Sequence, residues 1–223
     1  MLLEELVESV SATKNRQINQ VILDKLIPGF EKFMDENQDN EMLILSHIID
    51  SLNKEFGHMD IIFSLGDIPN DEYVSTGETD VSNGEIDILV DRESIFSGQN
   101  SLYSDSKFWA KSLSTTISHE ILHRKQIRKS KGRIQGSNLH SDSEYLANKH
   151  EIQAHAKDAV DFIAKFSSIH SREDVLKYLK NNLEDAKVEI EPIRNYWETF
   201  GETDLKVWKR FLKYVMFYAN EYI

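Results

Sequence analysis

Apolar residues recur at three- and four-residue spacing along most of this chain and alternate with polar ones in one short central region. Leu3, Leu6, Val7 and Val10 share one helical face. Val21, Ile22, Leu26 and Phe30 continue a helical stripe that Pro28 should bend or end. A polar loop over 36–40 precedes a helix over 42–56, with Leu45, Ile48, Ile49 and Leu52 inward and Gly57 as its stop. Residues 60–65 form a short apolar run bounded by glycine and proline signals, which predicts a strand. Segments 79–82 and 85–90 flank Asn83-Gly84, a tight-hairpin signal in which both turn positions take positive φ. Ile86, Ile88 and Val90 alternate with Glu85, Asp87 and Leu89, so one face of that arm should be buried.

Helical spacing then returns. A long helix is predicted over 104–131, closed by Gly132, followed by a polar loop over 133–143. The next helix spans 149–166, with Ile152, Ala156, Ala159, Ile163 and Phe166 inward. Ser171 reads as the N-cap of another helix. The last, over 204–222, is aromatic-rich, and its Leu205, Trp208, Leu212, Val215 and Ala219 read as core. Helices, a small sheet, then helices define an α+β class that is mostly α. The expected organisation is one compact unit in three segments: helical 1–58, a core over 59–168, and helical 169–223.

Composition narrows the chemistry. The 223 residues are 40% hydrophobic and 29% charged, an ordinary globular balance. A formal charge of −12 argues against broad binding to nucleic-acid backbones. With no cysteine, disulfides, thiolate metal sites and cysteine nucleophiles are excluded, so any metal must be held by nitrogen and oxygen donors. The start MLLEELVESV lacks the basic-then-apolar order of a secretory signal, and no apolar run approaches the ~20 residues of a membrane span. The expectation is a soluble protein of the cytoplasm, or of a virion if phage-encoded, without a membrane partner.

His119-Glu120-Ile121-Leu122-His123 is an H-E-x-x-H motif. On a helix its two imidazoles project from one face and can grip one ion, while Glu120, turned by ~100°, can reach a water at the ion without ligating it. Accident would produce the motif in roughly 2–3 % of chains of this composition, so context must separate a metal centre from an amphipathic helix carrying two histidines. A catalytic site needs a third ligand. Glu151 is the choice: it stands 28 residues after His123, enough for the helix to end and a second to return antiparallel. It shares a face with Ala154 or His155 and Asp158, opposite the Ile152/Ala156/Ile163 stripe. His150 and His155 are rivals for the same role, and Asp158 is placed to orient a ligand histidine. His47, His58, His140 and His170 have no comparable spacing.

His119-Glu120-x-x-His123-x-x-Gln126, then Tyr145-Leu146 and Glu151-Ile152-x-Ala154-x-Ala156, resembles zincin-type metallopeptidases with a downstream glutamate ligand. It is particularly similar to peptidases of tailed bacteriophages and bacteria. The likeness covers roughly residues 85–166 and departs from thermolysin-like enzymes, which carry an Asn-Glu-x-x-Ser-Asp signature where this chain has His150-Glu151-Ile152. The resemblance implies a zincin-like core: an active-site helix, a second helix supplying the glutamate, and an edge strand, here 85–90, that holds a peptide substrate extended. It further implies bound Zn2+, Glu120 as general base, and Tyr145 or His155 as donor to the developing oxyanion.

Arg124, Lys125, Arg128, Lys129, Lys131 and Arg133 follow the motif directly and read first as a solvated helix end. Two other functions remain in view: a regulatory protease of the repressor-cleaving type, against which the lack of a helix-turn-helix segment counts, and a non-enzymatic structural protein with a vestigial metal site. The terminal helices suit a protein partner under any of these.

Overall fold

The computed structural model describes residues 12–68, 74–80, 82–97, 101–130, 142–166 and 171–221. The Leu3–Val10 stripe, His140, His170 and Gly132 lie outside them. The chain divides between residues 135 and 136.

The unit over 14–135 carries the sheet. Helix α1 (Ala12–Val21) passes through a π turn (Ile22–Leu26) into α2 (Ile27–Glu36). Pro28 therefore neither ends the helix nor leaves it regular: it falls in the first turn of α2, where its missing N–H costs least, and the widened turn precedes it. Helix α3 (Glu41–Phe56) is capped by Asn40, whose side chain accepts from the Leu43 N–H at 3.1 Å. Gly57 does not stop it. The chain tightens into a 3-10 turn (Gly57–Met59) and reverses at Asp60, a left-handed residue with φ 55°.

Strands β1 (Ile61–Gly66), β2 (Ser75–Thr79) and β3 (Ile86–Asp91) form a sheet in the order β1-β3-β2. β1 runs parallel to β3, and β2 runs antiparallel to it. The alternation expected in β3 is present: Ile86, Ile88 and Val90 are fully buried and Asp87 is exposed. Two expectations change. The hairpin turn is wider than two residues, with Asp80 N–H donating to Glu85 O and Gly84 N–H to Asp80 O. Gly84 takes positive φ (76°) but Asn83 does not. Segment 85–90 is also not the edge, because β3 is flanked on both sides and its backbone is already paired. The short helix α4 (Glu93–Phe96) leads to α5 (Ser106–Ser130), which packs on β2, β3 and the π turn.

The unit from residue 136 is helical among its described residues: α6 (Asp142–Ala147), α7 (Lys149–Phe166), α8 (Arg172–Asn181), α9 (Leu183–Glu189), α10 (Glu191–Phe200) and α11 (Leu205–Glu221). Ser171 caps α8 as expected, accepting from the Asp174 N–H at 3.2 Å. Ile152, Ala156, Ala159 and Ile163 of α7 meet Trp208, Phe211, Val215 and Ala219 of α11 in one core, with Tyr196 stacked on Phe211. Leu205 is not part of it; at the first residue of α11 it is exposed. The fold is α+β and mostly α. Among the described residues no helix is long and apolar enough to cross a membrane.

Candidate metal centre

Helix α5 presents Trp109, Ala110, Leu113, Ile117 and Ile121 at three- and four-residue spacing, all buried, and this stripe fixes its rotation. His119, Glu120 and His123 follow from that rotation. The Nε2 atoms of His119 and His123 converge to 2.8 Å, with ring centroids 4.6 Å apart and planes at 68°. Each of the three residues offers a ligand atom, and these atoms lie within 4.8 Å of one another. His123 Nδ1 is 3.1 Å from Gln126 Oε1. An amide oxygen only accepts, so the His123 proton sits on Nδ1 and the Nε2 lone pair faces His119.

This donor set fits a divalent transition ion. Two imidazoles bound at 2.0–2.1 Å with a tetrahedral angle stand about 3.3 Å apart, so a small opening of the pair accommodates one ion. His47 is a different kind of histidine. It stacks on Phe33 at 3.9 Å and meets Phe30 edge-on, a packing role. His58 is exposed in the turn before β1.

Glu120 is only 5% exposed and is held by β2. Thr79 Oγ1 lies 2.7 Å from Glu120 Oε2 and 3.1 Å from the Glu120 carbonyl oxygen. Its single proton goes to the carboxylate, the shorter and charge-assisted contact. A Cβ added at Gly77 would stand 2.5 Å from Glu120 Cγ and 2.9 Å from Ile88 Cδ1, so the close approach of strand and helix requires glycine here. One turn earlier, Ser75 Oγ donates to Thr116 Oγ1 at 2.9 Å. Ser75, Gly77 and Thr79 thus line a seam against Thr116 and Glu120. None of these strand residues was singled out by sequence reasoning, because Ser-Thr-Gly-Glu-Thr carries no apolar alternation.

The same strand is the open edge. Asp91 N–H donates to Val74 O and Asp80 N–H to Glu85 O, which fixes the phase of the ladder. The N–H and C=O groups of Thr76 and Glu78 therefore face β3, and those of Gly77 and Thr79 face outward. Among the described residues no strand pairs with that side of β2. The opposite edge is covered at Phe63: the Asn53 side chain donates to its carbonyl at 3.0 Å and accepts from its N–H at 2.8 Å.

Beyond His123 the basic run is not a solvated helix end at its start. Arg124 is buried and donates to the Met59 carbonyl, tying α5 to the turn before β1. Burial, then Arg128, pull its guanidinium below its ordinary value, while Asp60 opposes them. Arg128 is exposed; the side chains of Lys129, Lys131 and Arg133 lie outside the described set.

Glu151, His155 and Tyr145 belong to the unit from residue 136. Asn148 caps α7, accepting from the His150 N–H at 3.0 Å, which sets Glu151 in the first turn of that helix. Glu151 and Asp158 are each about nine-tenths buried or more, Ala154 fully, and Tyr145 on α6 is 37% exposed. Tyr196 of α10 emerges beside them: its hydroxyl donates to Leu146 O at 2.8 Å, and its ring is 5.7 Å from that of His155. Burial first, then Glu151, Tyr145 and Asp158, push its phenol far above the ordinary value, so it stays protonated. Its place in the chain gave no sign of this role, since a tyrosine on an amphipathic helix reads simply as core.

No protein-family model matches the chain, no curated protein matches it, and no solved structure matches its fold.

Proposed function

We propose that this chain is a zincin-type peptidase that binds zinc through His119, His123 and Glu151 and uses Glu120 as general base. The observation that carries the reading is the convergence of two imidazole Nε2 atoms at 2.8 Å beside a buried carboxylate, next to an open antiparallel strand edge. Accidental H-E-x-x-H helices have no reason to combine these features. Zinc is the ion that two imidazoles and a carboxylate suit best in a cysteine-free chain. Bound there, it would supply Lewis-acid polarisation of a peptide carbonyl and of water.

The chain's own groups do the rest. The outward N–H and C=O of Gly77 and Thr79 pair with a substrate in extended form, laying its scissile bond along the seam above Glu120. This moves the substrate-binding role from β3 to β2. Glu120 Oε1 takes a proton from the attacking water and returns it to the leaving nitrogen, while Oε2 stays on Thr79. His123 keeps its Nδ1 proton on Gln126, so its Nε2 remains a donor to metal. Tyr145 or His155 serves the oxyanion, and Glu151 closes the ligand set.

The test is metal content together with cleavage. Purified protein should carry near-stoichiometric zinc; His119→Ala and Glu151→Ala should lose it. Glu120→Gln should keep zinc and lose peptide cleavage by about 10²–10⁴-fold across a proteome-derived library. Zinc retained with no turnover in the wild type would leave a structural metal site in place of an enzyme.

A further inference from the structure

The structure assigns Thr79 and Gly77 of β2 a positioning role: they hold the Glu120 carboxylate back from the imidazole pair, so that it acts as a base rather than as a further ligand of the metal. This rests on the reading of His119, Glu120 and His123 as a metal centre. The carboxylate oxygen and both imidazole nitrogens already lie within 4.8 Å of one another. Ligand atoms sharing one ion stand about 3.3 Å apart, so a shift of at most about 1.5 Å would bring Glu120 into coordination. A glutamate has three rotatable bonds and readily makes such a move.

Two contacts oppose it. The Thr79 hydroxyl occupies Oε2 at 2.7 Å, a charge-assisted hydrogen bond in a buried setting. The empty space left by Gly77 accepts the Glu120 stem, whose Cγ would fall 2.5 Å from any Cβ there. The strand thus supplies both the anchor for the head of the side chain and the slot for its stem. Both belong to the same edge strand, two residues apart, which is the period at which a strand repeats its face.

The test uses the full chain loaded with Co2+ in place of zinc, whose visible absorption reports ligand number and identity. Thr79→Val, which keeps the shape and removes the hydroxyl, should change the cobalt spectrum and bind the ion as tightly or more tightly. Thr79→Ser should match the wild type. Gly77→Ala, which displaces the stem from the other side, should produce a comparable spectral change. Placed in a Glu120→Ala background, Thr79→Val should have no effect on the spectrum. Turnover of any peptide cleaved by the wild type should fall between about 10-fold and 100-fold in Thr79→Val, in kcat more than in KM.

A wild-type spectrum in both Thr79→Val and Gly77→Ala would overturn the assignment, as would a spectral change that persists without Glu120. If the spectra behave as expected but no peptide is cleaved, the peptidase reading fails and the positioning role stands. If the wild type takes up no cobalt, the metal centre itself fails and takes this role with it.

Discussion

Gln126 gives the sharpest test of the centre that does not depend on finding a substrate. It is 5% exposed, one turn beyond His123, and its Oε1 accepts the His123 Nδ1 proton at 3.1 Å. Gln126→Met keeps the volume and removes the acceptor. Two costs follow from the geometry. One neutral hydrogen bond is lost, a net of about 0.5–1.5 kcal/mol. The imidazole is also free to carry its proton on Nε2, the atom that must bind metal. Removing partners of this kind typically weakens metal binding 10- to 100-fold, about 1.4–2.7 kcal/mol, so zinc affinity measured by chelator competition should fall within that range. Gln126→Glu keeps an acceptor and adds charge, and should bind zinc at least as tightly as the wild type. The metal-free melting temperature of Gln126→Met should drop by only a few degrees, since about 1 kcal/mol corresponds to 2–4 °C at this chain length. An affinity within threefold of wild type, alongside complete loss in His123→Ala, would refute the tautomer argument. Equal loss in Gln126→Glu would do so as well.

Other expectations concern the scaffold. Tyr196→Phe should cost about 1–3 kcal/mol in thermal unfolding by orphaning the Leu146 carbonyl. The raised Tyr196 phenol contributes its stability in full below the ordinary tyrosine value of 10.0 and loses it as pH rises above that. Wild-type stability should therefore fall by up to about 1.4 kcal/mol per pH unit from this group above pH 10, a slope that Tyr196→Phe removes in pH-dependent denaturation. Asn53→Ala uncovers both polar groups of Phe63 at the β1 edge; a loss of about 2 kcal/mol and faster aggregation in light scattering are expected, and no change in either would sink the edge-covering account. Lys157 and Asp161 pair at 2.7 Å with both side chains about 5% exposed, so Asp161→Asn should destabilise by about 3–5 kcal/mol, whereas Lys157→Met with Asp161→Leu should be far milder by calorimetry.

The sequence by itself determined the elements whose periodicity one face of burial enforces. The long helices near 42–56, 106–130, 149–166 and 205–221, the strand at 61–66 and the alternating strand at 86–91 follow from apolar spacing, because each must bury one stripe or face. It also fixed the motif: four residues on any helix bring His119 and His123 to one face, whatever surrounds them. Spacing could not decide what depends on pairing partners distant in the chain. The polar stretch Ser75–Thr79 becomes a strand because β3 offers it a ladder, and it becomes the edge because β1 takes the other side. The hold of Thr79 and Gly77 on Glu120 spans 41 residues and more, and the burial of Arg124 against the Met59 carbonyl spans 65. Local patterns report which face of an element is buried; only tertiary packing chooses what it is buried against, and at this centre that choice gives the carboxylate its anchor.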